Sequence, residues 1–166
     1  MKSLLLWSLL LFAASGLLAP LHAATCTISA TGISFGSYDP TSGTAVTANG
    51  SLSFTCNNTL LGDTVTVTAS TGSSGSYTNR TLVLGAQKLN YNIYVDSGYT
   101  SVFGNGTGGS YYLYACYGLG SGSPCPVTGG YPSGTTFTGA MYGLLPAGQD
   151  VSAGTYSDTI TLTLTF

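Results

Sequence analysis

Four cysteines, two cations and five aspartates make up most of the reactive chemistry in residues 24–166. The cysteines are Cys26, Cys56, Cys116 and Cys125, the cations Arg80 and Lys88, and the acids Asp39, Asp63, Asp96, Asp150 and Asp158. The only histidine, His22, and the only tryptophan, Trp7, lie upstream, and no glutamate occurs. Acid–base and triad catalysis therefore have few players. Two aspartates could cleave a glycoside only if they were brought together, and no motif does so. Calcium needs a run of clustered oxygen ligands, and zinc a CxxC-like spacing; the chain carries neither. We therefore expect no catalytic residues, no metal site and no cofactor. Asp39, Asp63 and Asp150 stand in turn contexts, where a carboxylate caps its own backbone.

The cysteines have to be read with the compartment. Lys2 and a nearly continuous apolar run over 4–18, followed by small residues at 19–24, form a secretory leader. We place the leader at 1–23 and one domain at 24–166, with cleavage after Ala23 or Ala24. In an exported chain an even cysteine count favours two disulfides, and four cysteines allow three pairings. We expect Cys26–Cys56, stapling the first strand to the second, and Cys116–Cys125, closing a small Gly/Ser loop. Two cations against five aspartates leave the domain at a formal net charge of −3. Nothing basic remains to bind nucleic acid or an anionic membrane. So few charges on so many β-prone segments make the free chain prone to aggregation, so a chaperone is expected.

The elements that position these groups are all strands. From Tyr156 onward, Tyr156, Ile160, Leu162, Leu164 and Phe166 fall on one face and mostly threonines on the other, with Asp158 the one break. That period of two predicts a terminal strand over 156–166 with its aromatic end buried. The same alternation marks 25–30, resuming after Gly32 with Ile33 and Phe35. It recurs at 51–56, 63–69, 80–84, 88–96 and 135–144. Residues 36–40 form a turn around Asp39-Pro40, and 41–50 and 70–79 read as polar connections. A long insertion over 97–134 holds the densest aromatic run. No segment has a helical period, and about seven short strands separated by Gly/Pro turns predict a β-sandwich.

The order of several motifs resembles the spore coat protein U (SCPU) domain. They are Cys26 in the opening strand, Phe35-Gly-Ser-Tyr-Asp39, Phe54-Thr-Cys56, Arg80, Leu89-Asn-Tyr-Asn-Ile-Tyr-Val-Asp96, Tyr142-Gly-Leu-Leu-Pro-Ala-Gly-Gln149 and Gly154-Thr-Tyr-Ser-Asp-Thr159. The resemblance spans the mature chain. It implies an all-β, incomplete immunoglobulin-like sandwich similar to subunits of archaic, Csu-type chaperone–usher pili. In that class a periplasmic chaperone lends the missing strand, and a neighbouring pilin subunit replaces it at the outer-membrane usher. The resemblance implies that Tyr156, Ile160, Leu162, Leu164 and Phe166 pair first with the chaperone and then with the donor strand. A strand added at an open sheet edge satisfies unpaired backbone groups and covers apolar residues together.

Only Ala24 and Thr25 precede Cys26 after cleavage, too little to make a donor strand at ~3.3 Å per residue. We therefore expect a chain-terminating, tip-like subunit at the cell surface. Its adhesive loop would be Tyr99, Phe103, Tyr111, Tyr112, Leu113, Tyr114 and Tyr117, contacting an abiotic or host surface during biofilm attachment. The competing reading puts these aromatics in the end of the sandwich. Arg80 is expected to pair with Asp96 or Asp158 at a strand edge. The alternative function is a self-standing secreted coat or matrix protein with a complete sandwich.

Overall fold

The computed structural model describes residues 23–60, 62–116 and 132–166. Alternation of apolar and small polar residues produces eight strands there: β1 (Thr25–Thr31), β2 (Val46–Asn57), β3 (Thr64–Ala69), β4 (Arg80–Leu84), β5 (Gln87–Tyr94), β6 (Leu113–Cys116), β7 (Thr136–Leu145) and β8 (Leu162–Thr165). They form a five-stranded sheet, β1-β2-β7-β5-β4, and a three-stranded sheet, β6-β3-β8. Every strand ladder is antiparallel.

The core lies between the sheets. Leu52, Phe54 and Cys56 of β2, Val65, Val67 and Ala69 of β3, Leu89, Tyr91 and Ile93 of β5, and Met141 and Leu145 of β7 are buried. Each set falls at every second position, so one pleat face of each strand points inward. Phe54 stacks on Phe137 across the β2–β7 ladder, with ring centroids 4.9 Å apart.

The segment after β1 lies over the five-stranded sheet, and two glycines make room for it. A Cβ on Gly50 would come within 2.6 Å of the Thr31 carbonyl and 2.9 Å of Ile33. One on Gly143 would meet Ile33 at 2.7 Å and Phe35 at 2.8 Å. Ile33 and Phe35 therefore settle where β2 and β7 carry no side chain. The turn expected over 36–40 lies at 39–42, where the Ser42 N–H donates to the Asp39 carbonyl and the Asp39 carboxylate accepts from the backbone N–H and hydroxyl of Thr41. Just ahead of it, the Tyr38 hydroxyl donates to the Pro146 carbonyl and accepts from the Gln149 N–H. Gln149 in turn pairs with Asn90 through both ends of its amide, its oxygen accepting from the main-chain N–H and its nitrogen donating to the carbonyl.

Three strand limits differ from expectation. The connection read over 41–50 is half strand, because β2 begins at Val46 and pairs with β7 from there to Thr55. Part of the aromatic run read as loop is β6, which pairs with β3. The terminal strand is shorter than predicted, because the stretch changes sheets. Ser157 exchanges two backbone hydrogen bonds with Val83 of β4, whereas the Thr161 carbonyl accepts from Ser70 and β8 then follows β3. Asp158, the break in the alternation, sits at this crossing.

Candidate functional site

Two strand edges lie open on opposite sides of one groove. Among the described residues, β1 pairs only with β2, and β8 only with β3. Two adjoining cavities, which share Ile33, Phe35, Leu82 and Asp158, and a separate third one lie between the chain ahead of residue 40 and the chain beyond 151, and the two walls run antiparallel. At one end Ala24 lies opposite Phe166, in a cavity of about 470 Å³. In the middle, 30–33 face 158–162 across about 390 Å³. At the other end 33–40 face 151–158 across about 660 Å³. Each volume exceeds the roughly 150 Å³ of a cavity that holds a benzene-sized apolar group.

The floor is apolar: Ile33, Phe35, Leu82, Leu89, Met141 and Leu145 line the middle and far cavities. The walls are under-covered. Tyr156, Ile160, Leu162 and Leu164 are only half-buried against the core. β1 is exposed on both faces apart from Cys26, with Ile28 at 37%. The predicted burial of Phe166 is wrong: it is 58% exposed at the groove mouth. Leu162 and Leu164 on the same face pack partly against the core, which does not extend to Phe166.

One charged group interrupts this lining. Asp158 lines both the middle and far cavities. Its Oδ1 accepts from the Ser73 N–H (2.8 Å), the Ser73 hydroxyl (2.6 Å) and its neighbouring Thr159 N–H (2.8 Å). Its Oδ2 accepts from the Tyr91 hydroxyl at 2.7 Å. Gly72, at φ +65°, lets the backbone approach, since a Cβ there would run into the carboxylate. Burial, reinforced by the hydrogen bond to Asp158, pushes the Tyr91 phenol well above its ordinary value.

A model of the Spore Coat Protein U domain matches residues 12–163. The chain belongs to the SCPU family. Protein U of Myxococcus xanthus is 32% identical to it over 146 residues, covering 81% of this chain and 71% of that protein. A solved structure, the CsuC–CsuE chaperone–tip adhesion subunit pre-assembly complex from archaic chaperone–usher Csu pili of Acinetobacter baumannii, contains a chain of similar fold. The TM-score is 0.53 at 19% identity, covering 87% of this chain and 40% of that one. At that identity the likeness is one of fold, and it makes the SCPU domain pilin-like.

In this SCPU domain Cys26 and Cys56 form a disulfide, directly opposite each other in the β1–β2 register. Cys116 is also disulfide-bonded; its expected partner, Cys125, and Tyr117 lie outside the described residues. The aromatic insertion divides by burial. Phe103 is fully buried and belongs to the core, which removes it from any adhesive surface. Leu113 is partly buried against the core. Tyr99 is half-buried and stands edge-on to Tyr94 and Tyr142. Tyr111, Tyr112 and Tyr114 are exposed, at 54%, 46% and 36%.

Arg80 is fully buried, and the pairing expected with Asp96 or Asp158 is replaced by neutral acceptors. Its guanidinium donates twice to the Ser70 carbonyl (3.1 and 2.7 Å), once to the Phe103 carbonyl (2.6 Å) and once to Asn92 Oδ1 (2.7 Å). Asp96 instead caps its own loop, accepting from the N–H groups of Gly98, Thr100 and Ser101. The planar fork explains the choice: its several donors reach the Ser70 and Phe103 carbonyls and Asn92 Oδ1 at once. Burial pulls the Arg80 guanidinium below its ordinary value. Sequence reasoning missed the Asp158–Tyr91 pair. The break in alternation at Asp158 was its only signal.

Proposed function

We propose that this domain is a subunit of an archaic chaperone–usher pilus whose groove accepts a strand from another chain. The observation that carries the reading is a pair of strands, β1 and β8, each paired on one side only among the described residues, with 30–33 and 158–162 facing each other antiparallel across an apolar floor. A strand laid between them gains backbone hydrogen bonds from both and covers the half-buried Ile160, Leu162 and Leu164. The first occupant is a periplasmic chaperone strand and the second a neighbouring pilin's, exchanged at the outer-membrane usher. The leader over 1–23 takes the domain 24–166 to the periplasm, and assembly takes it to the cell surface. The role is structural and adhesive rather than enzymatic.

Within the pilus the subunit is tip-like, in keeping with the exposed tyrosines of its aromatic insertion. Its contact surface is the exposed cluster Tyr111, Tyr112 and Tyr114, which binds an abiotic or host surface during biofilm attachment. A self-standing coat protein would need a closed sandwich, and the open edges argue against it.

The test is periplasmic co-expression with the pilus chaperone, then challenge with a synthetic peptide copying the N-terminal extension of a shaft subunit. The peptide is expected to displace the chaperone. At about a thousandfold excess over Kd it adds ~4 kcal/mol, a melting-temperature gain of roughly 10–20 °C for a domain of this size. A chain that melts cooperatively alone and ignores the peptide would overturn the reading.

A further inference from the structure

We propose that Asp158 and Tyr91 form a polar checkpoint in the groove. It selects an incoming strand with a neutral hydrogen-bond donor, a serine, threonine or asparagine side chain, at the inward position opposite Asp158. It rejects an acidic side chain there. The inference rests on the strand-acceptor reading and adds a register and a composition to it.

Three observations carry it. Asp158 stands where the middle and far cavities meet and is only half-buried, so an occupant of the groove passes its carboxylate. The carboxylate is held in place: Ser73 binds it by N–H and hydroxyl, and the bare backbone of Gly72 makes room for it. Its acceptor sites are unevenly used. Two carboxylate oxygens offer about four sites; Oδ1 receives three donors, whereas Oδ2 receives only the Tyr91 hydroxyl. A strand that presents only apolar groups would seal off Oδ2 half-satisfied, which carries the penalty of a buried unpaired acceptor. A hydroxyl or amide N–H at that level fills the remaining site. A second carboxylate would add like-charge repulsion in a poorly screened place. The rest of the floor of the middle and far cavities is apolar, so within them the preference is confined to one position.

The experiment uses a host peptide with alternating inward valines and outward threonines. Each inward valine is changed in turn to Ser, Asn or Asp. Affinity for the mature chain is read by competition against a fluorescent host peptide. At one inward position Ser and Asn should bind about five- to tenfold more tightly than Val, and Asp at least about tenfold more weakly than Asn. At the other positions Val should be best. In Asp158→Asn the Asp/Asn gap at that position should shrink to within about twofold, with the other positions unchanged. Tyr91→Phe keeps the ring's packing and frees Oδ2, so the preference for Ser and Asn should increase.

If Asp158 only braces the crossing between sheets, its substitution lowers affinity for every peptide by the same factor, which overturns the checkpoint. If the host peptide binds but no position prefers Ser or Asn, the checkpoint fails and the acceptor reading survives. If the host peptide does not bind at all, both fail.

Discussion

Replacing Arg80 with methionine tests how the two sheets are joined. The side chain rises from β4 of the five-stranded sheet, and the Ser70 carbonyl it reaches belongs to the residue immediately after β3 of the other. Methionine fills most of the aliphatic volume but donates nothing. The carbonyls of Ser70 and Phe103 then lose the guanidinium, and Asn92 Oδ1 loses one of its two donors, the Ile93 N–H remaining. An orphaned buried acceptor costs about 1–3 kcal/mol, so two carbonyls and a weakened amide predict a loss of roughly 3–6 kcal/mol. Some buried charges can be replaced by apolar residues at little cost, because both partners can be removed together. Here the partners are main-chain carbonyls, which no substitution removes. Against a typical domain stability of about 5–15 kcal/mol the loss is large. Equilibrium urea unfolding followed by far-UV circular dichroism should show the midpoint falling by about 1.5–3 M, taking a slope near 2 kcal/mol per M. Arg80→Lys should recover less than half, since one ammonium cannot span the fork. A loss below about 1 kcal/mol for Arg80→Met would refute the role of the guanidinium as the strut between sheets.

Other consequences can be measured separately. Ile160→Asp or Leu164→Asp removes an apolar contact worth about 1.5–3 kcal/mol when covered, so capture by chaperone or donor peptide should weaken by about ten- to a hundredfold; titration with the labelled peptide measures this. Changing Tyr111, Tyr112 and Tyr114 together to Ser should reduce attachment to plastic while each change alters stability by no more than about 0.5 kcal/mol; adhesion and melting assays run in parallel check both parts. Tyr91 keeps its proton in the fold above the pH at which the unfolded chain ionises near 10. Stability should therefore fall as pH rises beyond about 10, by up to ~1.4 kcal/mol per unit, and Tyr91→Phe should flatten that slope; urea midpoints between pH 9 and 11 decide it.

The β-sandwich was legible because two-residue alternation reports which pleat face is dry, and that is a local property of Leu52-Ser-Phe-Thr-Cys56 or Thr64-Val-Thr-Val-Thr68. The depth of burial was not legible. Phe166 carries the same apolar signal as Phe54, yet one is exposed and the other buried, because the difference lies in whether a second layer covers it. The role of Arg80 was hidden for a similar reason: opposite charges are visible in a sequence, whereas the main-chain carbonyls of Ser70 and Phe103 carry no residue-specific mark. Short β6 was masked by tyrosines whose exposure breaks the alternation. The groove floor was partly written in Ile33 and Phe35, which resume the alternation after Gly32, but the glycine seats under them at Gly50 and Gly143 emerge only from strand register.

The position of the Cys26–Cys56 bond has a mechanical consequence. β1 is the least protected strand of the five-stranded sheet, and a pull on its leading residue, Thr25, would ordinarily unzip it from β2 one rung at a time. The second rung, Cys26 against Cys56, is covalent. Load entering at that end is therefore diverted into β2, which is flanked by strands on both sides. The rungs from Thr27 to Thr31 carry little of it. The strand most open to solvent is thus the one that traction cannot peel from its leading end.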